Sequence, residues 1–539
     1  MESAAKIAGT DKNMVKEKLN ELPDDLLLKI LSKLPFFKES VARSLISKRH
    51  EEPWKLVLDV TFKDDNEESR ATYMNFIYVS FLFDGTQTLE RLHLKLVRNY
   101  SASDINIWVQ VAVDISVRKL RFDVYWGTLK LPRCLNNSTT LKSLILREVT
   151  ISHIPFGFCL PSLKSLHLFS VRFSQKASIK RLLQSCPDLE YLVINQAKYL
   201  DVWNFGGPRV CLSSLKSLHL LLATNYDSSR DSLTLLLQSC PVLEYLVVRE
   251  TDRFSIIWDL PPESCLSSIK SLHLSSVKLL NDESIATLFE RCAALEDLVI
   301  NRTRDDNVRV YNINVPTLKS LTINNTREKH TDDDNKVKEN HGFLINSSAL
   351  ETLNIKDTVS NFLILEFMPE VTKANIEVIC DKSESFIGSL TSIQHLSLCS
   401  PTSETPYRRG SVFPYLEHLE LCTCSPGWAN LLASILNNAP RLQSLKLKSN
   451  HSPPRNDPNN FWNEPAVVPE SLLKHLEIFE WRQYEDTVQH WKMAAYILAN
   501  ATCLKMASFS TRCRDNHHGM LMQIKQPNRV SETCQLVFE

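Results

Sequence analysis

Apolar residues recur along most of the chain in one phrase, L-x-x-L-x-L, and the spaces between its copies are themselves patterned. "LLQSCPDLEYLV" at 182–193 returns as "LLQSCPVLEYLV" at 236–247 and as "LFERCAALEDLV" at 288–299, offset by 54 and 52 residues. "SLKSLHL" at 162–168 and 214–220, with "SIKSLHL" at 268–274, lies between them. Two phrases alternate, so the unit is half the offset, about 26 residues. Within a unit, alternation such as Leu166, His167, Leu168 predicts a short strand with leucines inward. The segment before the next strand carries an apolar helical face, as at Ile179, Leu182 and Leu183.

The residue opening the phrase can be followed through Leu89, Val117, Leu141, Leu163, Leu189, Leu215, Leu243, Ile269, Leu295, Leu318 and Leu350. It continues at Val371, Ile393, Leu416, Leu442, Leu476 and Leu504, for 17 openings. This is the signature of a leucine-rich repeat, and the predicted fold class is α/β: a solenoid with a curved parallel sheet and outer helices. Each unit buries its apolar face only against its neighbours, so one long repeat body is expected. Seventeen strands about 4.8 Å apart would give a sheet roughly 75 to 80 Å long, enough to grip a macromolecule.

Strand positions that point away from the leucines line the concave face, and the alternation assigns His167, Val193, His219, Val247, His273 and Val299 to it. His167, Tyr191, His219, Tyr245, His273 and Asp297 are the candidate substrate-binding residues. The three histidines do not read as a metal site, because alternate strands stand about 9.6 Å apart and zinc-bound nitrogens lie about 2 Å from the ion. Ser165 with His167, Ser217 with His219 and Ser271 with His273 resemble nucleophile and base. Their backbone separation of about 6.6 Å along a strand places them beyond hydrogen-bond reach.

Composition narrows the picture further. Lys plus Arg and Asp plus Glu both number 62, so net charge supplies no reason for a nucleic-acid or membrane partner. The chain opens without an apolar signal core, and no segment approaches a membrane span, so an intracellular protein of nucleus or cytoplasm is expected. Of 14 cysteines, Cys186, Cys240 and Cys292 recur at one repeat position, which suits buried thiols. Phosphate loops, "HExxH", "GxSxG" and paired "CxxC" motifs are missing from the sequence; Cys422 and Cys424 form a single "CTC". No cofactor, metal or catalytic residue is nominated. "REKHTDDDNKVKENHG" at 327–342 mixes charges with almost nothing apolar and predicts a solvated loop.

Residues 19–57 follow another grammar. Pro23 suits a first helical turn, Asp24 and Asp25 complement a helix N-terminus, and Leu22, Leu26, Ile30 and Leu34 recur every four residues beside Leu27 and Leu31. Pro35 stops that helix, a second carries Val41, Ala42, Leu45 and Ile46, and Pro53 with Trp54 opens a third. Three helices of this size bury too little surface to stand alone and are expected to dock on something.

"LPDDLLLKILSKLP" with "SLISKR" and Trp54 resembles the F-box of plant proteins, which binds the Skp-type adaptor of SCF ubiquitin ligases. The resemblance implies that Leu22, Pro23, Leu26, Ile30, Leu31, Leu34, Val41, Leu45 and Trp54 form the adaptor-facing or core surface. His50 stands where the family usually has tryptophan. Residues 461–509, with "FWNEP", "VP", "LL", "FEW" and "YILANATCLK", resemble the FBD region that follows the repeats in many such proteins. Read from the residues alone, that region is two more repeats: "HLEIFEW" a strand, Met493, Tyr496 and Ile497 a helical face, and a last strand near Leu504.

The expected organisation is a disordered start at 1–18, the F-box at 19–57, a linker or first helical repeat segment at 58–87, repeats at 88–460, the FBD region at 461–510 and a tail at 511–539. The resemblance implies a non-enzymatic substrate-recognition subunit whose partners are the Skp-type adaptor, the cullin ligase core and a protein substrate not named by the sequence. The alternative is an F-box-derived scaffold that no longer engages the ligase.

Overall fold

The computed structural model describes residues 59–63, 89–195, 211–222, 235–250, 257–258, 266–326, 341–379, 389–400, 412–449, 464–511 and 529–538, except for one or two positions within some stretches. The F-box candidates Leu22, Pro23, Leu26, Ile30, Leu31, Leu34, Val41, Leu45 and Trp54 lie outside the described residues, as do 327–340 of the polar run. The chain divides into two compact units, the first ending near Ile256 and the second running from Cys265 to the C-terminus.

In the first unit, eight strands form a parallel ladder: β1 Asp59–Lys63, β2 Arg91–Leu96, β3 Lys119–Val124, β4 Ser143–Arg147, β5 Ser165–Phe169, β6 Tyr191–Asn195, β7 Ser217–Leu222 and β8 Tyr245–Glu250. Each pairs with the next, and the repeat phrase fixes the register: Leu144, Leu166, Leu192, Leu218 and Leu246 fall in one row. Those five leucines are fully buried, while the residues between them along each strand are half-exposed. A one-residue slip would turn every leucine to solvent, so burial on one face specifies the pairing.

The second unit repeats this plan with eleven strands: β9 Ser271–Ser275, β10 Asp297–Asn301, β11 Ser320–Asn325, β12 Thr352–Asp357, β13 Lys373–Val378, β14 His395–Cys399, β15 His418–Cys422, β16 Ser444–Lys448, β17 Ile478–Tyr484, β18 Met506–Thr511 and β19 Gln535–Phe538. All are parallel and paired in chain order. The one register shift falls between Trp481 and Tyr484, where Gln483 adopts a positive φ of 56°. An extra residue there re-aims Tyr484 inward. All 17 phrase-opening residues, from Leu89 to Leu504, are buried at 5 % exposure or less, so every phrase read from the sequence sets its opening residue in the core.

Helices occupy some of the connections: α1 Ala102–Asp114 and α2 Ser178–Gln184 in the first unit, then α3 Asp282–Arg291, α4 Trp428–Asn438, α5 Glu470–Lys474 and α6 Val488–Asn500 in the second. Ile179, Leu182 and Leu183 of α2 are buried, as are Met493, Tyr496 and Ile497 of α6. Starts are set by capping: Ser101, Asn281 and Thr487 each accept a hydrogen bond from the backbone three residues on. Elsewhere the connection is extended, as in the small parallel ladder of Val310–Asn314, Gly342–Asn346 and Phe362–Leu365. Gly342 opens a strand there, because a Cβ would collide with the Phe362 carbonyl oxygen and ring. The end of the predicted polar loop is thus built into structure.

Two strands of the main ladders were not foreseen. β1 lies in the segment read as a linker or first helical repeat segment, and β19 lies in the segment read as a tail and pairs with β18 beyond Leu504. Gln535–Phe538 alternates too briefly to stand out from its polar surroundings.

Candidate functional site

The half-exposed strand positions form an open face, and in the first unit rings gather on it. His167 and Tyr191 have ring centroids 5.3 Å apart, Tyr191 and His219 are 5.1 Å apart, and His219 and Tyr245 are 5.2 Å apart. Phe169 stacks on His167 at 5.9 Å, so the belt extends along β5 as well as across β5 to β8. The zigzag follows from register. Tyr191 and Tyr245 share a row with Ser165 and Ser217, and His167 and His219 share the next row with Val193 and Val247, so each histidine meets tyrosines diagonally. His167 is held below the usual histidine range, first by burial and then by the nearby His219, and so favours the neutral ring.

The expectation that the serine–histidine pairs lie out of reach is corrected by the side chains. Ser165 Oγ lies 2.9 Å from His167 Nε2, and Ser271 Oγ lies 3.2 Å from His273 Nε2. The backbone separation is as expected, but both side chains lean along the strand and close the gap. In the second unit Asp297 joins: its Oδ2 accepts from Ser271 Oγ at 2.9 Å and lies 3.0 Å from His273 Nε2. The His273 hydrogen bond, aided by Ser271 and Ser320 and opposed by burial, holds the Asp297 carboxyl below its usual range. Serine and carboxylate therefore face the same ring nitrogen. A nucleophile relay needs them on opposite nitrogens, so this constellation orients side chains and does not compose a triad.

Residues not singled out from the sequence add two polar clusters to the face. At the start of the repeats, Arg121 donates to both oxygens of Asp123 at 2.9 and 2.8 Å, and His93 Nε2 lies 2.9 Å from the same carboxylate. Burial alone would raise the Asp123 carboxyl, yet His93 and Arg121 hold it at about 2. In the second unit, Lys446 Nζ bridges Glu420 at 3.4 Å and Glu480 at 3.8 Å, while Lys448 also pairs with Glu420 and Arg482 with Glu480. Burial would raise the Glu420 carboxyl, and Lys448 and Lys446 outweigh it. His93, Arg121, Glu420 and Lys446 sit at the strand position of His167, so the repeat alternation was the signal that could have found them.

The repeat cysteines are buried thiols. Cys186 Sγ donates to the Leu182 carbonyl at 3.3 Å and Cys240 Sγ to that of Leu236 at 3.1 Å, and burial pushes both up to about 12. Among the described residues, no helix is long and apolar enough to cross a membrane.

A parallel ladder with one leucine row per strand, an open polar and aromatic face and short connecting helices defines a leucine-rich-repeat protein, and the comparisons agree. Residues 105–223 match the LRR repeats of an FBD-associated F-box protein, residues 268–292 match a leucine-rich repeat, and residues 464–509 match FBD. One Arabidopsis thaliana relative, named for its F-box and associated FBD region, is 46 % identical over 97 % of this chain and 99 % of its own length. Two F-box/FBD/LRR-repeat proteins of the same plant are 38 % and 30 % identical over 97 % of this chain, covering 92 % and 99 % of their own. The chain belongs to the plant F-box/FBD/LRR-repeat family.

Proposed function

We propose that this chain is the substrate-recognition subunit of an SCF-type ubiquitin ligase, engaging a Skp-type adaptor through residues 19–57 and a target protein through the open face of its repeats. The observation that carries the reading is the pairing of an F-box motif with a strand face on which His167, Tyr191, His219 and Tyr245 form a half-exposed ring belt. Rigid aromatic side chains give large contact area at small entropic cost, and tyrosine is enriched at interface centres. His273 and Asp297 give the second unit a candidate surface of its own.

The F-box anchors the chain to the cullin core while the face holds the target, which raises the concentration of target lysines near the charged conjugating enzyme. Recognition and proximity are the contribution; bond chemistry belongs to the conjugating machinery. The protein works in the nucleus, the cytoplasm or both. His50, where related F-boxes carry tryptophan, motivates the second reading, a scaffold detached from the ligase.

Reconstitution with purified adaptor, cullin core and full-length chain tests this. Native chain is expected to co-elute with the core, and Ile30→Lys to abolish co-elution while leaving the circular dichroism of the repeats unchanged. A native chain that stays off the core while correctly folded contradicts the proposal and leaves the scaffold.

A further inference from the structure

Three cysteines converge in the second unit. Register runs from His395 with His418 to Leu398 with Leu421, and the next residues, Cys399 and Cys422, end β14 and β15 side by side. Cys424 follows two residues later, and its Sγ lies 3.5 Å from that of Cys399. All three sulfurs lie within 4.8 Å of one another, and the residues are 3, 2 and 2 % exposed. At the same strand position the flanking repeats carry Glu377 and Lys448, so the cluster is not a general device of the scaffold. Cys186 and Cys240, at another position of the repeat, each donate S–H to a carbonyl four residues back.

We propose that Cys399, Cys422 and Cys424 form a trigonal site for a soft, thiophilic d¹⁰ cation, copper(I). Thiolates about 2.3 Å from a bound ion stand about 3.8 to 4.0 Å apart in tetrahedral or trigonal geometry, close to the 3.5 Å of the Cys399–Cys424 pair and within the 4.8 Å that bounds all three sulfurs. Sub-ångström side-chain adjustments therefore suffice. Among the described residues no histidine or carboxylate joins the group, and burial shields it from bulk water. Among the described residues tetrahedral zinc thus lacks its fourth ligand and an iron–sulfur cluster its fourth cysteine, whereas three thiolates complete the shell of trigonal copper(I). On binding, three thiol protons pass to the buffer as three copper–sulfur bonds form, and no electron is transferred. Such an ion would tie β14 and β15 to the turn that leads into α4.

The test uses reduced, full-length chain under anaerobic conditions with copper(I) supplied as its bicinchoninate complex. Native protein and a Cys186→Ala control are expected to withdraw one more copper per chain than the Cys399→Ser/Cys422→Ser/Cys424→Ser variant, with three sulfur scatterers in X-ray absorption. Cys422→Ser alone is expected to weaken retention about tenfold or more. Thermal unfolding of metal-free forms, followed by circular dichroism, establishes that each variant is folded, and Cys424→Ser replaces any that is not. Equal copper withdrawal by native chain and triple variant, preferential uptake of zinc, or a Cys399–Cys424 disulfide in the protein as isolated each overturns the site.

Discussion

The open face differs between the two units although the leucine frame beneath it does not. Around β5 to β8 the exposed positions hold rings, His167, Tyr191, His219 and Tyr245, whose neighbours are other rings. Around β15 to β17 they hold Glu420, Lys446 and Glu480, which satisfy one another. Beneath both regions the inward leucines are alike: Leu166 and Leu192 at 0 %, Leu419 at 2 % and Leu445 at 0 % exposure. The frame is fixed by burial and the face is free to vary. A mutually neutralised charge row has little left to offer a partner, whereas a ring belt keeps its apolar area available, so the belt is the face proposed for recognition.

The largest effects should come from the shared frame. Leu192→Ala and Leu445→Ala each leave a cavity in a fully buried row and are expected to cost about 2 to 5 kcal/mol in denaturant unfolding. Similar costs in the two regions support one frame; a cost below about 1 kcal/mol in either would separate them.

The next effect distinguishes the C-terminal repeats by pH. His490 is buried against Trp428, Trp481 and Tyr484, with Nδ1 3.1 Å from the Glu485 carbonyl oxygen and 3.3 Å from the Glu485 amide nitrogen. Burial lowers it from 6.5 to about 4, with the Glu485 hydrogen bond opposing the change only partly. A depressed histidine binds its proton more readily when unfolded, so stability is full above pH 6.5 and falls as pH drops toward 4, by on the order of 3 kcal/mol. His490→Phe should flatten that slope in pH-dependent unfolding; an unchanged slope would place the titration elsewhere.

On the face itself, Lys446→Ala should change stability by less than about 1 kcal/mol, because its partners are partly solvated. Tyr191→Ala with Tyr245→Ala should likewise leave folding nearly intact but sharply reduce the set of proteins captured by the full-length chain in its native tissue under proteasome inhibition. If Lys446→Ala depletes that set and the tyrosine pair does not, the assignment of belt and row is reversed.

Much of this was legible in the sequence because period and burial are one signal. An apolar residue that must face inward in each repeat leaves its mark every 21 to 34 residues, and all 17 openings are buried. The diagonal contacts of the ring belt were less legible, since alternation gives the face of His167 and Tyr191 but not the lean of their side chains. The same omission hid the Ser165–His167 contact at 2.9 Å. Cys399 was invisible beside the "CTC" motif because register, not sequence distance, brings it to Cys424. β19 was missed because four residues carry too little periodicity.

The central claim is that this chain bridges an adaptor and a target, and its most direct measurement is calorimetric titration of a purified Skp-type adaptor into the full-length protein. The account predicts saturable one-to-one binding, abolished by Ile30→Lys and strengthened by His50→Trp through added buried indole area, by about 1 to 3 kcal/mol. Absence of binding heat from natively folded chain, with His50→Trp equally silent, would contradict it.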